Sequence, residues 1–394
     1  MLLTATLCLL AGGAVMVYSA SSARTLLSGQ GDGTGYLIKY LVYGGLGLVA
    51  MNVLSHQGLD LLRRLTPMIL GIAFLMLIAV KVPGLGVEVN GAKRWLGLGP
   101  LQFQPSEVMK IALVLHAAKT IAERPKMTRE LRLMVGPVLG PMICAIFLIM
   151  IEPDMGSALV TTATVGTILI VSGVPMKQLG KAAGIFCTLV LLLAILEPYR
   201  RARLTSFLNP WADAGGAGFQ SVQGQIALGS GGLLGDGLGQ SVQKIFYLPE
   251  AHTDFILAVI GEELGVLGIG CLLVLYGMIG YAGLRTAKAA KGIYAKILAS
   301  GLTSLIMCQA LLNVYAVLGL APLTGVPLPF ISSGSTSLVV LLGAMGILLN
   351  IASGGSAHLQ TVKQPEVEDE DRDRRRRDRG TRGPRDRHRG RAAG

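Results

Sequence analysis

Apolar residues in this chain come in long runs separated by short polar stretches. Runs of roughly 17 to 25 apolar residues are what an α-helix needs to cross the hydrocarbon core of a bilayer. Ten can be placed, at residues 2–20, 36–54, 65–82, 107–121, 133–151, 158–174, 179–196, 255–284, 297–318 and 338–352. The pattern predicts an all-α polytopic membrane protein, because a transmembrane barrel would alternate apolar and polar residues over much shorter segments. The first run ends in small residues, Ser19 to Ala23, that resemble a signal-peptide cleavage site. No basic region precedes it and many spans follow, so it is expected to remain as the first helix.

With the N-terminus inside, the even-numbered connections carry thirteen basic residues in short loops: Arg63, Arg64, Lys119, Arg124, Lys126, Arg129, Arg132, Lys177, Lys181, Arg285, Lys288, Lys291 and Lys296. The other side holds nine over more loop sequence: Arg24, Lys39, Lys81, Lys93, Arg94, Arg200, Arg201, Arg203 and Lys244. Basic residues concentrate on the cytoplasmic side, so both termini are expected in the cytoplasm and the longest connection, 197–253, outside. A loop of that length is commonly functional or disordered. Leu204, Phe207, Leu208, Trp211 and Phe219 give it a face to bury, which favours order. Its glycine-dense middle, GSGGLLGDGLG from Gly229 to Gly239, predicts tight turns or backbone pressed against a ligand. It follows no strand, which argues against a dinucleotide fingerprint or a P-loop.

Composition agrees with the pattern: 52% of the 394 residues are hydrophobic and only 15% are charged. The net charge of +12 would suggest nucleic acid, but residues 363–394 alone hold 12 of the 35 Lys and Arg and 8 of the 23 Asp and Glu. No nucleic-acid partner is expected. The division is therefore a membrane domain over 1–353, including the outward loop, and a disordered charged tail over 354–394. All five cysteines fall within apolar runs, so they read as small core residues and not as a disulfide or zinc framework.

Against this apolar background one stretch stands out, SVQKIFYLPEAHTDFILAVIGEELG from Ser241 to Gly265, with Glu250, Asp254, Glu262, Glu263, His252 and Lys244. Ionisable groups at a membrane span are costly and point to function. Asp254 sits where the long loop meets a span. Partial desolvation there raises a carboxylate towards general-base territory, while the bland alternative is that Thr253 or Asp254 caps the helix. Glu262 and Glu263 lie about two turns deeper and read as supports bonded to neighbouring helices, or as part of a proton path. His252 with Asp254 is a weak metal signal.

Three further sets carry polar chemistry. Glu107 and Lys110 are spaced to pair on one helix, and Lys93 and Arg94 beside Trp95 read as an interfacial anchor or an anion site. Arg200, Arg201 and Arg203, basic on the outward side, call for an anion such as a diphosphate. The connection GLAPLTGVPLPFISSGSTSL from Gly319 to Leu338, with three prolines and a run of hydroxyls including Ser332 beside Gly334, predicts a broken, re-entrant segment. Such a segment needs its backbone satisfied by protein, and Gln309 and Asn313 on the preceding span are placed to do so.

Together, YLPEAHTDF with GEELG, VNGAKRW with QPSE and the following lysine, EPDMGSAL, YRRARLTSFLNPW and TGVPLPFIS resemble the SEDS (shape, elongation, division and sporulation) family of peptidoglycan glycosyltransferases, closest to its division and sporulation types. The resemblance implies a ten-helix fold, lipid II as substrate, undecaprenyl diphosphate as leaving group, and a class B penicillin-binding protein and other divisome membrane proteins as partners. It maps the family's essential aspartate onto Asp254, near which a divalent cation, Mg or Mn, is expected. It also maps loop arginines onto Arg200 and Arg203, and the QPSE and lysine positions onto Glu107 and Lys110. Ser333 and Ser335 depart from the family pattern, where an aromatic residue and a glycine are common. A lipid-precursor flippase and a non-catalytic scaffold are the rival classes; an elongation-type polymerase is the nearest variant.

Overall fold

The computed structural model describes residues 1–27, 33–89, 92–98, 101–196, 206–216, 218–246, 248 and 251–354. Each of the ten predicted spans coincides with a helix. These are α1 (Leu2–Leu27), α2 (Gly35–His56), α3 (Leu59–Ala79), α4 (Pro105–Glu123), α5 (Leu131–Ile151), α6 (Met155–Val171), α7 (Met176–Leu196), α10 (Ile256–Ala289), α11 (Ile293–Val317) and α12 (Ser335–Ala352). The long connection holds α8 (Phe219–Ser230) and the short α9 (Gln243–Phe246), so its described part is ordered, as expected. Seven of the ten are long and apolar enough to cross a membrane, and α6 is a shorter apolar helix. The expected tail, apart from its first residue, lies outside the described residues.

Burial separates a centre from a periphery. In α11, 78% of the most apolar window is buried, against 22% in α2 and 17% in α3. Around α11 stand α4, α6, α10 and α12. α2 packs on α12, where a Cβ on Gly346 would lie 2.4 Å from the carbonyl oxygen of Met51, so only glycine permits the approach. α3 packs instead on α4. α5 contains a π-turn over Val135–Leu139, in which Pro137 removes one helical donor.

The end of the bundle that carries the long connection, here the upper end, also carries a feature the sequence reading missed. Residues 86–103 form a three-stranded antiparallel meander, β1 (Gly86–Val89), β2 (Ala92–Leu98) and β3 (Leu101–Phe103). It docks on the bundle through Arg94. Its guanidinium donates to the carbonyls of Glu152 at 3.0 Å and Pro153 at 2.7 Å, in the turn between α5 and α6. Arg94, half-buried, is thus engaged by backbone carbonyls of the bundle, a contact the sequence reading did not contain. Lys93, opposite Glu88 in the β1–β2 register, is exposed.

Candidate functional site

Regular helix is interrupted at two places, both beyond Asp254 in the sequence. The first is in α10, where Gly265 (φ 64°, ψ −162°) breaks the helix into an upper piece and a longer lower one. The glycine-dense loop seals this break. The N–H groups of Asp236 and Gly237 donate to the carbonyls of Glu262 and Glu263, and those of Val266 and Leu267 donate to the carbonyls of Gly232 and Leu233. Side chains would prevent it, because a Cβ on Gly231 would lie 2.0 Å from the Gly261 carbonyl oxygen and one on Gly235 2.2 Å from that of Glu263. Gly231 and Gly235 are thus pressed against the protein's own backbone, while Gly232, Gly235, Gly237 and Gly239 take the positive φ of tight turns.

Glu262 and Glu263 are buried and used in two different ways. Glu263 forms an ion pair with Lys244 at 2.6 Å, with both side chains at most 2% exposed, and accepts from the Ser19 hydroxyl of α1 at 2.7 Å. Glu262 accepts from the Ser241 hydroxyl and from the N–H groups of Val242 and Gln243, the donors left open at the start of α9. The segment leading to Asp254 is therefore stitched to α1 and α10 by buried polar bonds. Glu263 thus bonds a neighbouring helix, α1, while Glu262 bonds the segment that opens α9.

The second interruption is the connection between α11 and α12. Four of its carbonyls accept hydrogen bonds from side chains of three helices: Val326 from Asn313 (2.8 Å), Pro327 from Gln309 (3.2 Å), Pro329 from Tyr276 (2.5 Å) and Phe330 from Tyr40 (2.6 Å). Ser332 accepts from the N–H of Leu328 and closes the turn, and Gly334 sits at the N-cap of α12. Phe330 is buried at φ 65°, an unusual conformation for a bulky residue. Strain of this kind persists only where surrounding contacts determine it, and it concentrates at functional sites.

Asp254 adjoins the second of these structures. Its backbone carbonyl accepts from Asn313 at 2.8 Å, and its carboxylate accepts from the Thr253 hydroxyl at 3.1 Å. A Cβ on Gly325 would stand 3.8 Å from the carboxylate, which puts Asp254 directly against the pinned connection. The N-cap position of α10 is Phe255, which makes no side-chain cap bond, so the helix begins two residues beyond Asp254 and neither Thr253 nor Asp254 is its N-cap. His252 is fixed by its carbonyl, which accepts from the N–H of Ser333, and its ring packs on Tyr36 with centroids 4.2 Å apart.

Glu107 and Lys110 pair as their spacing predicted, at 2.8 Å and with both side chains at most 2% exposed. Lys110 also donates to Gln309 at 3.0 Å, so the pair bears on the pinned connection and is turned inward. Asp154, which the sequence reading quoted but did not single out, caps α6 through the Ser157 N–H and accepts from Gln104 and Ser106. Glu152 was also missed. It is fully buried just past the end of α5, and among the described residues neither carboxylate oxygen has a hydrogen-bond partner. Burial, with Asp154 nearby, pushes its carboxyl up to about 8. Arg200 and Arg203 lie outside the described residues.

Among the described residues no three His, Cys, Asp or Glu side chains come together as a metal cage. Asp254 offers one carboxylate, which is how Mg²⁺ is held when water and phosphate oxygens complete its shell.

These features define a class: a polytopic helical membrane protein whose polar site is built at one end of the bundle from broken helices. Comparison with known proteins makes this specific. A family model for cell cycle proteins of the FtsW, RodA and SpoVE type matches residues 1–356. Stage V sporulation protein E of Bacillus subtilis (strain 168) is 38% identical over 352 residues, 89% of this chain and 96% of that protein. A probable peptidoglycan glycosyltransferase FtsW of Coxiella burnetii is 40% identical over 354 residues, 88% of this chain and 94% of that protein. A solved structure described as "Structural coordination of polymerization and crosslinking by a peptidoglycan synthase complex" superposes with a TM-score of 0.72 at 29% identity, over 89% of this chain and 96% of that one. The rod shape determining protein RodA of Thermus thermophilus superposes at 0.64 and 28% identity, over 89% and 95%. The chain belongs to the FtsW/RodA/SpoVE family.

Proposed function

We propose that this protein is a peptidoglycan glycosyltransferase that polymerises lipid II into glycan strands on the outer face of the cytoplasmic membrane, for septal wall synthesis, with undecaprenyl diphosphate as leaving group. The observation that carries the reading is the placement of Asp254. Its backbone is held by Asn313 and its carboxylate stands against the pinned connection at the upper end of the bundle, in a chain whose relatives are named peptidoglycan glycosyltransferases.

In the mechanism that follows, the carboxylate of Asp254 accepts the proton of the sugar 4-hydroxyl of an incoming lipid-linked disaccharide. The oxygen forms a bond to the anomeric carbon of the growing strand, and the bond from that carbon to the diphosphate oxygen breaks. A positioned general base contributes roughly 10² to 10⁴ in rate. Arg200 and Arg203 take the developing charge of the diphosphate. A divalent cation, Mg or Mn, would be held by Asp254 with the diphosphate and would supply further charge there. Buried Lys110, Glu107, Gln309 and Asn313 act by positioning. The apolar faces of the bundle hold the polyprenyl tails.

Both termini are cytoplasmic in this reading, and the upper end faces outward. The partners are a class B penicillin-binding protein, by analogy with the synthase-complex structure that superposes on this chain, and other divisome membrane proteins. The test is polymerisation of purified lipid II by the purified protein, with and without a cognate penicillin-binding protein and with EDTA as one arm. Glycan strands are expected. Movement of labelled lipid II across vesicles without polymer would support the flippase class instead.

A further inference from the structure

α1 takes no part in the mechanism above, yet it bears on both interruptions. At the break in α10 the Ser19 hydroxyl donates to the Glu263 carboxylate at 2.7 Å and accepts from Lys244 at 3.0 Å. About 9 Å further down the same helix, Gly13 meets the connection between α11 and α12. A Cβ on Gly13 would lie 2.3 Å from the Tyr40 hydroxyl oxygen, 2.8 Å from the Phe330 carbonyl oxygen and 2.8 Å from the Cα of Ile331. Only glycine leaves room for α1, α2 and the connection to meet at one point.

Tyr40, on the buried face of α2, closes this point. Its hydroxyl faces two carbonyls, that of Phe330 at 2.6 Å and that of Leu10 in α1 at 3.0 Å. One phenolic proton serves one acceptor fully, and the shorter bond goes to Phe330. Leu10 lies inside α1, where the helix itself offers its carbonyl a donor. Phe330, at φ 65°, lies in irregular backbone that has to be held from outside. From Phe330 the connection leads back to Gly325, where a Cβ would stand 3.8 Å from the Asp254 carboxylate. A contiguous chain of contacts therefore runs from the α10 break through Ser19, α1 and Tyr40 to the backbone beside Asp254.

We propose that Tyr40 is a positioning residue for the reaction and that α1 is the strut that sets it. α1, fixed at Ser19, holds the Tyr40 hydroxyl on the Phe330 carbonyl, and this bond keeps the connection where Asp254 needs it. An axial shift of α1 then changes the rate from outside the site. The assignment rests on the glycosyltransferase reading for the reaction that is positioned.

The test uses the full chain in nanodiscs, with lipid II polymerisation and amide hydrogen exchange over residues 326–334 as readouts. Tyr40→Phe keeps the ring and removes the donor. It is expected to lower kcat about tenfold, the value of one buried hydrogen bond, with KM for lipid II unchanged and exchange over the segment faster. Gly13→Ala should lower kcat at least as much. Gly13→Ala with Tyr40→Phe should lower it no further than Gly13→Ala alone, because both changes break the same bond. Asn350→Leu is the control, since it removes donations to the carbonyls of Leu54, Ser55 and Gln57 at the lower end of α2. It should lower the unfolding temperature and leave kcat as in wild type. Wild-type kcat in Tyr40→Phe would overturn the assignment. So would an equal loss of kcat in Asn350→Leu, which would make the effect one of general stability. Faster exchange in Tyr40→Phe, with a wild-type protein that makes no polymer, would leave the pinning by Tyr40 standing and remove the glycosyltransferase reading.

Discussion

The two helix interruptions that follow Asp254 in the chain solve the same problem by opposite means. Each exposes backbone donors and acceptors at the end of a membrane bundle, where an unsatisfied group is expensive. At Gly265 the backbone is satisfied by backbone, through a glycine loop lying directly on the break. In the connection between α11 and α12 it is satisfied by side chains: Asn313, Gln309, Tyr276 and Tyr40, from three helices. The first solution needs the absence of side chains and is local in sequence. The second needs particular polar atoms and joins distant helices, so it can transmit a shift of α2 or α11 to the residue beside Asp254.

The contrast predicts a graded set of losses. The largest should follow Gly231→Ala, whose Cβ would overlap the Gly261 carbonyl at 2.0 Å. Backbone cannot yield cheaply there, and a loss above ~4 kcal/mol, seen as failure to recover folded protein, is expected. Next is Lys244→Met, which strands the buried Glu263. It should cost about 3 to 5 kcal/mol in unfolding experiments, and Lys244→Met with Glu263→Met should recover much of it. Tyr276→Phe leaves the Pro329 carbonyl without its donor and should cost about 1 to 3 kcal/mol. In this variant polymerisation should fall more than stability does, because the affected segment faces Asp254.

A further effect, read as a pH dependence and not as a fixed loss, concerns Glu152, which lies outside both interruptions. Its folded-state carboxyl is raised by burial to about 8, from an ordinary 4.5. Between those values the folded protein holds a proton that the unfolded chain has lost, so stability falls as pH rises through this window and levels off above it. Glu152→Gln should therefore unfold at a higher temperature than wild type at pH 8, with the two converging towards pH 4.5. Parallel melting curves across that range would contradict the assignment.

How much of this was legible in the sequence follows the range of the interaction. The ten helices were readable because an apolar run of spanning length is a local signal, and the Glu107–Lys110 pair because its spacing lies within one helix turn. Gln309 and Asn313 were readable because a proline-rich break needs donors and these were the nearest. The sheet over 86–103 was not, since strands of three to seven residues next to helices leave too short a pattern. Nor was the pairing of Lys244 with Glu263 and Ser19, nor the use of Tyr40 and Tyr276, because nothing local in the sequence announces a contact between distant helices. The glycine loop was read as tight turns or as backbone pressed against a ligand; the turns are present, and the backbone it presses on is the protein's own, because sequence shows that backbone must come close and not to what.

The central claim is that the carboxylate of Asp254, and not merely its place in the fold, carries the reaction. The direct measurement is the rate of strand formation from purified lipid II by Asp254→Asn, compared with wild type in the same membranes and at matched unfolding temperature. Asparagine keeps the shape and cannot take the proton, so the rate is predicted to fall by about 10² or more. Strand formation by Asp254→Asn at the wild-type rate would contradict the account.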